Sequence, residues 1–249
     1  RGPVHLDLPE DVALAPATES IPEIPVLGRI SPADAAVIDA GHEILSAAKR
    51  PIALIGSSAM RMANPDLLRS FVQHHGIPFA TTTMAKGMID EDHPLSIGCI
   101  ERGKRQMQRA FLRKSDLIVG LGYDTIEVEY EAWIGDTPLL QVDIEKADVA
   151  PSVQVKGEVT GDLDDALSAF VGAEQCQNDW TDAEIESHRT AFQAALRPNE
   201  ENFSPHEAID VVRDMLPVDG ILTFDVGAHT HQIASQWTSH APRTFHITN

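Results

Sequence analysis

The sequence predicts an α/β protein: a parallel sheet with helices on both faces, followed by a truncated α/β piece at the C-terminal end. Three observations predict it. Short apolar runs bounded by Gly, Pro or Asp recur between residues 51 and 157. The segments between them repeat their apolar residues with helical spacing, so strand and helix alternate as βαβ units do. Gly56, Gly120, Gly122, Asp124 and Asp143 fall at or just past the ends of those runs, where parallel sheets hold their ligands.

In chain order, residues 2–9 alternate apolar and polar and read as a strand, with a turn starting at Glu10. Residues 13–30, with Pro16, Pro22 and Pro25, read as an extended linker. Ser31-Pro32-Ala33-Asp34 reads as a helix start, with Ser31 as cap and Pro32 in the first turn. Ala36, Val37, Ala40, Ile44, Leu45 and Ala48 then form one face. Residues 51–56, 77–82, 115–122, 138–143 and 153–157 read as strands. Residues 64–75, 106–114 and 162–170 read as the helices between and after them, and 84–98 as a loop-rich connection. After a second linker at 172–180, residues 181–196 read as a charged surface helix opened by the capping-box pattern Thr181-x-x-Glu184. Ser204-Pro205 opens another helix, with Ala208, Ile209, Val212 and Leu216 inward. A strand at 221–225, a corner at Val226-Gly227, a helix at 229–239 and a strand at 244–248 complete the chain. The expected domains are 1–30, 31–172, 173–204 and 205–249. The opening at Arg1 and the unpartnered last strand read as the cut ends of a longer protein.

Composition narrows the function. With 249 residues, 43% of them hydrophobic, the chain can bury one large core or two smaller ones. A net charge of −19 repels a polyanion, so nucleic acid is not expected as a partner. Cys99 and Cys176 make no disulfide framework, and a reducing, cytoplasmic setting is expected. No apolar run approaches the ~20 residues of a membrane span, so no membrane partner is expected.

The sharpest local signal is Phe224-Asp225-Val226-Gly227-Ala228-His229-Thr230. A strand ends, glycine lets the chain turn, and a helix begins. Free amides at that helix start make an anion site, with His229 as a second donor; the alternative is an ordinary strand–helix corner with an incidental histidine. Asp143 stands where such folds bind a ribose hydroxyl, or is a solvated strand-end acid. Gly56-Ser57-Ser58 lacks the G-x-G-x-x-G fingerprint, which disfavours ordinary NAD binding. Gly56, Ser57, Gly122 and Asp143 are nonetheless the candidate nucleotide-binding residues. His74-His75 reads as a cationic helix end, and Glu127, Glu129 and Glu131 as a solvated charge run. His229-x-His231 lacks the further ligands of a metal site, and no metal ligand or catalytic residue is assigned.

The order of the pieces resembles thiamine-diphosphate enzymes of the acetolactate synthase type. Residues 2–12 are similar to the closing strand of their pyrimidine-binding domain, and residues 50–56 to the first strand of their central Rossmann-like domain. Thr81 to Gly98, with Lys86-Gly87 before His93-Pro94, is similar to that domain's loop; Val119 to Glu127 and Leu140 to Glu145 continue the likeness. Asp225 to His229 is similar to the opening of the diphosphate-binding domain. The resemblance implies a carboligase or decarboxylase acting on a small 2-oxo acid, a homo-oligomer, with thiamine diphosphate and Mg2+ in the full-length enzyme. It implies that Gly227, Ala228 and His229 meet the cofactor's diphosphate. The family's catalytic glutamate and Gly-Asp-Gly…Asn metal motif would lie outside residues 1–249, so this chain alone is expected to be inactive. Flavin-binding members carry Gly-Gly-Gly and Arg-x-Asp-Asp-Arg; the corresponding Gly56-Ser57-Ser58 and Gly122-Tyr123-Asp124-Thr125-Ile126-Glu127 imply that FAD is not bound. The other readings are a non-catalytic module binding FAD or ADP, and a structural spacer.

Overall fold

The computed structural model describes residues 5, 7–17, 28, 30–128, 133–199 and 201–247. Six strands form the main sheet: β1 Pro51–Ile55, β2 Phe79–Thr81, β3 Ser96–Cys99, β4 Leu117–Leu121, β5 Leu139–Asp143 and β6 Val155–Thr160. Their order is β3-β2-β1-β4-β5-β6, every pairing parallel. The order reverses between β1 and β4, which lie in register from Pro51 opposite Leu117 to Ile55 opposite Leu121. Both faces are covered, which is why β1 (PIALI) is a continuous apolar run rather than an alternating one.

One face carries α2 (Ala35–Ala47), α3 (Asp66–His75) and α5 (Leu163–Gly172), which pack Leu45, Leu68, Phe71 and Phe170 against Ile55 and Val119. The other carries α4 (Arg105–Leu112) and α6 (Asp182–Leu196), with Phe111 and Ile185 packed beside Ile52, Leu54, Ile118 and Trp133. After α7 (Pro205–Met215), a single βαβ unit follows: β7 (Leu222–Phe224), α8 (Ala228–Gln236) and β8 (Phe245–Ile247), its two strands parallel. A short helix α1 (Glu10–Leu14) lies near the start, with none of its residues buried.

Several expectations change. Of the strand expected at 2–9, residues 2–4 and 6 lie outside the described residues, and 5 and 7–9 are not in a strand; most of the linker at 13–30 also lies outside them, and the turn expected at Glu10 is helix α1. Ser31 does not cap α2. Asp34 does, its Oδ1 accepting the Ala36 amide at 2.8 Å. Ser31 is held by a tertiary contact instead: its carbonyl accepts the Asp162 amide at 2.9 Å, and a Cβ on Gly161 would stand 2.4 Å from the Ala33 nitrogen. Strand β3 begins inside the segment read as loop and ends one residue past it. Ser96-Ile97-Gly98-Cys99 has too little apolar period to announce itself, and pairing with β2 makes it a strand. Helix α6 is no mere surface helix, because Ile185, Phe192 and Leu196 are buried. On α7, Ile209 packs inward, but Val212 is 47% exposed.

His75 overturns the expectation of a cationic helix end. It is fully buried, and burial, then its neighbour His74, pushes its pKa down to about 4. The neutral ring is used at both nitrogens: Nε2 donates to the Phe170 carbonyl at 3.2 Å and Nδ1 accepts the Cys176 amide at 3.1 Å. His188, stacked on Phe111, is likewise held down to about 4 by burial. Both folded pKa values lie below the ordinary 6.5, so the unfolded chain binds more protons as pH falls. Stability is therefore full above pH ~6.5 and declines toward pH ~4, by up to about 1.4 kcal/mol per pH unit per fully protected ring. Urea midpoints should fall between pH 7.5 and 5 while the ring resonances of both histidines stay those of neutral imidazole; protonated rings at pH 5.5 would contradict this.

Candidate functional site

The residues predicted for the site fall into two groups, one at the carboxyl edge of the main sheet and one at the start of α8. The fold brings Gly56, Ser57, Gly122 and Asp143 together at the first. Gly56 follows β1 and opens a 3-10 turn over Ser57–Arg61; Gly122 follows β4 with φ +62. The two glycines are pressed against each other's loops. A Cβ on Gly56 would lie 2.4 Å from the Gly122 carbonyl oxygen, and one on Gly122 2.5 Å from the Ala59 nitrogen. The Ser58 amide donates to the Gly122 oxygen at 3.1 Å.

Asp143 is buried, not a solvated strand-end acid, and burial raises its pKa. Its carboxylate accepts from the Ile144 amide at 2.6 Å and Gln141 Nε2 at 3.2 Å, and the Ser58 hydroxyl reaches it. Glu127 is a second correction. It is part-buried rather than solvated, and burial raises its pKa against the opposing hydrogen bonds from Thr82 and Ser57. Its Oε1 accepts the Ser57 amide at 2.7 Å and its Oε2 the Thr82 hydroxyl at 2.6 Å. Glu129 and Glu131 lie outside the described residues.

The second group is the corner after β7. Gly227 is extended, φ 162 and ψ 172, and precedes α8; Ala228 and His229 are exposed. The Thr230 amide and hydroxyl both turn back to the Gly227 carbonyl, at 3.0 and 2.7 Å. Among the described residues, no group accepts the Ala228 or His229 amide. A Cβ on Gly227 would stand 2.6 Å from the His229 ring, so the bare glycine lets that ring fold over the helix start. Exposed amides, a helix dipole and an imidazole donor together suit an anion.

Sequence reasoning missed what joins the βαβ unit to the main sheet. Lys86 and Glu91 form an ion pair at 2.8 Å with side chains only 1% and 6% exposed. Glu91 also accepts the Ser239 amide at 2.8 Å, and its own amide donates to the Ser239 carbonyl at 3.1 Å. A Cβ on Gly87 would lie 2.2 Å from the Ala241 oxygen. Nearby, Glu101 accepts from His231 Nδ1 and the Thr83 hydroxyl, both at 3.0 Å. The signal was an Asp-Glu-Asp run in a loop, which looks solvated until the fold buries its middle member. Neither cysteine is a nucleophile candidate: burial raises the Cys99 thiol to about 12 and Cys176 to about 11.

Residues 38–170 match the family described as thiamine pyrophosphate enzyme, central domain. The chain is 27% identical over 261 residues to the acetolactate synthase large subunit of Parasynechococcus marenigrum, covering 97% of this chain and 41% of that protein. It is 26% identical over 254 residues to acetolactate synthase isozyme 1 large subunit of Escherichia coli, with 97% and 44% covered. Against the chloroplastic acetolactate synthase 1 of Zea mays the identity is 24%, with 97% and 40% covered. The chain thus spans about two fifths of the length of these curated relatives.

Proposed function

The chain belongs to the thiamine pyrophosphate enzyme family, whose central domain it carries, and from that premise we propose that it works within an acetolactate synthase-type carboligase or decarboxylase of 2-oxo acids. The likeness to acetolactate synthases runs past residues 38–170 on both sides, which supports reading the whole chain this way. The observation that carries the coenzyme contact is the corner at Gly227. Thiamine diphosphate, when bound, supplies the carbanion chemistry at the carbonyl carbon of a 2-oxo acid. The part of this chain is to anchor. The Ala228 and His229 amides would take diphosphate oxygens, Gly227 would leave room for the His229 ring beside them, and that ring would add a donor. Mg2+ belongs to the same proposal, with no ligand assigned among the described residues.

Residues 205–249 are read as the start of the diphosphate-binding domain. A two-stranded sheet is marginal alone, and Val211, Met215, Val218 and Ile221 are each more than half exposed, as expected of a face that further strands and helices cover. Residues 31–172 are read as the structural body of the enzyme, without FAD, because the crevice between Gly56 and Gly122 is filled by its own backbone. A homo-oligomer and a cytoplasmic setting complete the proposal.

Calorimetric titration with thiamine diphosphate and MgCl2, with unphosphorylated thiamine as the control, tests it. Weak saturable binding of the diphosphate and none of thiamine is expected. Equal binding of both would remove the phosphate contact from the account.

A further inference from the structure

The main sheet reverses its strand order between β1 and β4, and a dinucleotide or nucleoside diphosphate enters an open α/β sheet at that point, its phosphates on the amides of the turn after the first strand. In this protein the turn is Ser57–Arg61, and its leading amide is already engaged. Ser57 N–H donates to Glu127 Oε1 at 2.7 Å, while Thr82, just past β2, donates its hydroxyl to Glu127 Oε2 at 2.6 Å. A Cβ on Gly56 would stand 3.0 Å from the same Oε1. One carboxylate therefore ties together the ends of β1 and β2 from the loop that follows β4. Behind it the Gly56 and Gly122 backbones are in contact, joined by the Ser58 amide to Gly122 carbonyl bond at 3.1 Å. Asp124 and Asp143 stand at the same edge, with Arg61 facing Asp143. A phosphate brought here would meet two further acids.

We propose that Glu127 is a built-in occupant of the phosphate position, an internal anion that holds the switch point between β1 and β4 shut against nucleoside diphosphates and dinucleotides. Glycines at 56 and 122 are needed because the two loops must touch, not because a ligand's phosphates must approach them. Glu127 does by intramolecular contact what a bound pyrophosphate does elsewhere: it satisfies the turn amide and pins the strand ends. This holds whether or not the corner at Gly227 meets a coenzyme.

The test is calorimetric titration of the purified chain and two variants with ADP, FAD and inorganic phosphate. The unmodified chain and Glu127→Gln, which keeps the acceptor and the volume, should show no saturable binding of any of the three. Glu127→Ala frees the Ser57 amide and removes a negative charge, and should bind inorganic phosphate at least about tenfold more tightly than the unmodified chain. FAD should stay excluded by the touching backbones. Saturable ADP or FAD binding by the unmodified chain, or a folded Glu127→Ala that gains no phosphate affinity, overturns the proposal. Should Glu127→Ala not fold, hydrogen exchange of the unmodified chain decides: a protected Ser57 amide supports the occupied position, and exchange at the rate of an open loop overturns it.

Discussion

Gly122→Ala is expected to destabilise the protein by about 3 kcal/mol. Two terms add. Placing a Cβ in the left-handed region, where Gly122 sits at φ +62, costs ~1–2 kcal/mol. The new atom would stand 2.5 Å from the Ala59 nitrogen and 3.0 Å from the Ser58 carbonyl carbon. These are backbone atoms that cannot rotate away, and overpacking of this kind costs ~1–3 kcal/mol. The loop they belong to is anchored where it leaves β1, by the Gly56 amide on Leu121 and the Ser58 amide on Gly122. A shift there is transmitted to β1 and β4 together. Gly172→Ala is the control: nothing lies within 4 Å of its Cβ position and it ends α5, so a change within about 0.5 kcal/mol is expected. Urea unfolding of both variants checks this. Equal midpoints would mean that the two loops are not in contact as described.

Glu91→Leu should be at least as damaging. It leaves the Lys86 ammonium, 1% exposed, without its partner, and breaking a buried pair from one side costs ~3–5 kcal/mol. It also removes the acceptor of the Ser239 amide. The double variant Lys86→Met with Glu91→Leu should recover much of the loss, because no charge then remains buried. The loss should be regional as well as global: hydrogen exchange should rise in residues 83–92 and 237–247, which the pair joins, more than in β4 or β5. If the single variant lost less than about 1 kcal/mol, or the double variant were worse than the single, the pair would not be what fastens the βαβ unit to the main sheet.

The legible part of the sequence was the part governed by local pattern. Runs such as PIALI and LIVGL are apolar because both faces of their strands are covered, and that signal needs no tertiary knowledge. The parallel order with helices on both faces followed from it. The family likeness rested on the order of pieces. What stayed hidden depends on partners far along the chain. Ser31 looked like a cap until Gly161 and Asp162 claimed its segment. Ser96 to Cys99 became a strand because β2 lies beside it. His75, Glu91 and Glu127 have the composition of surface residues, yet each is drawn inside by a contact between 70 and 148 residues away in sequence. The candidate residues Gly56, Ser57, Gly122 and Asp143 were read as closing or following strands, and in the fold they lie at one edge of the sheet. Their shared environment, two loops in backbone contact with the Glu127 carboxylate on the Ser57 amide, could not be read from their identities.

The most direct measurement is a residue-resolved titration. Backbone amide resonances of the isotope-labelled chain would be followed as thiamine diphosphate and MgCl2 are added. The account predicts that the amides of Gly227, Ala228 and His229 move first and furthest, with the ring of His229, while Ser57 and Gly122 stay still. Shifts confined to Ser57, Gly122 and Asp143, with the start of α8 unmoved, would contradict it.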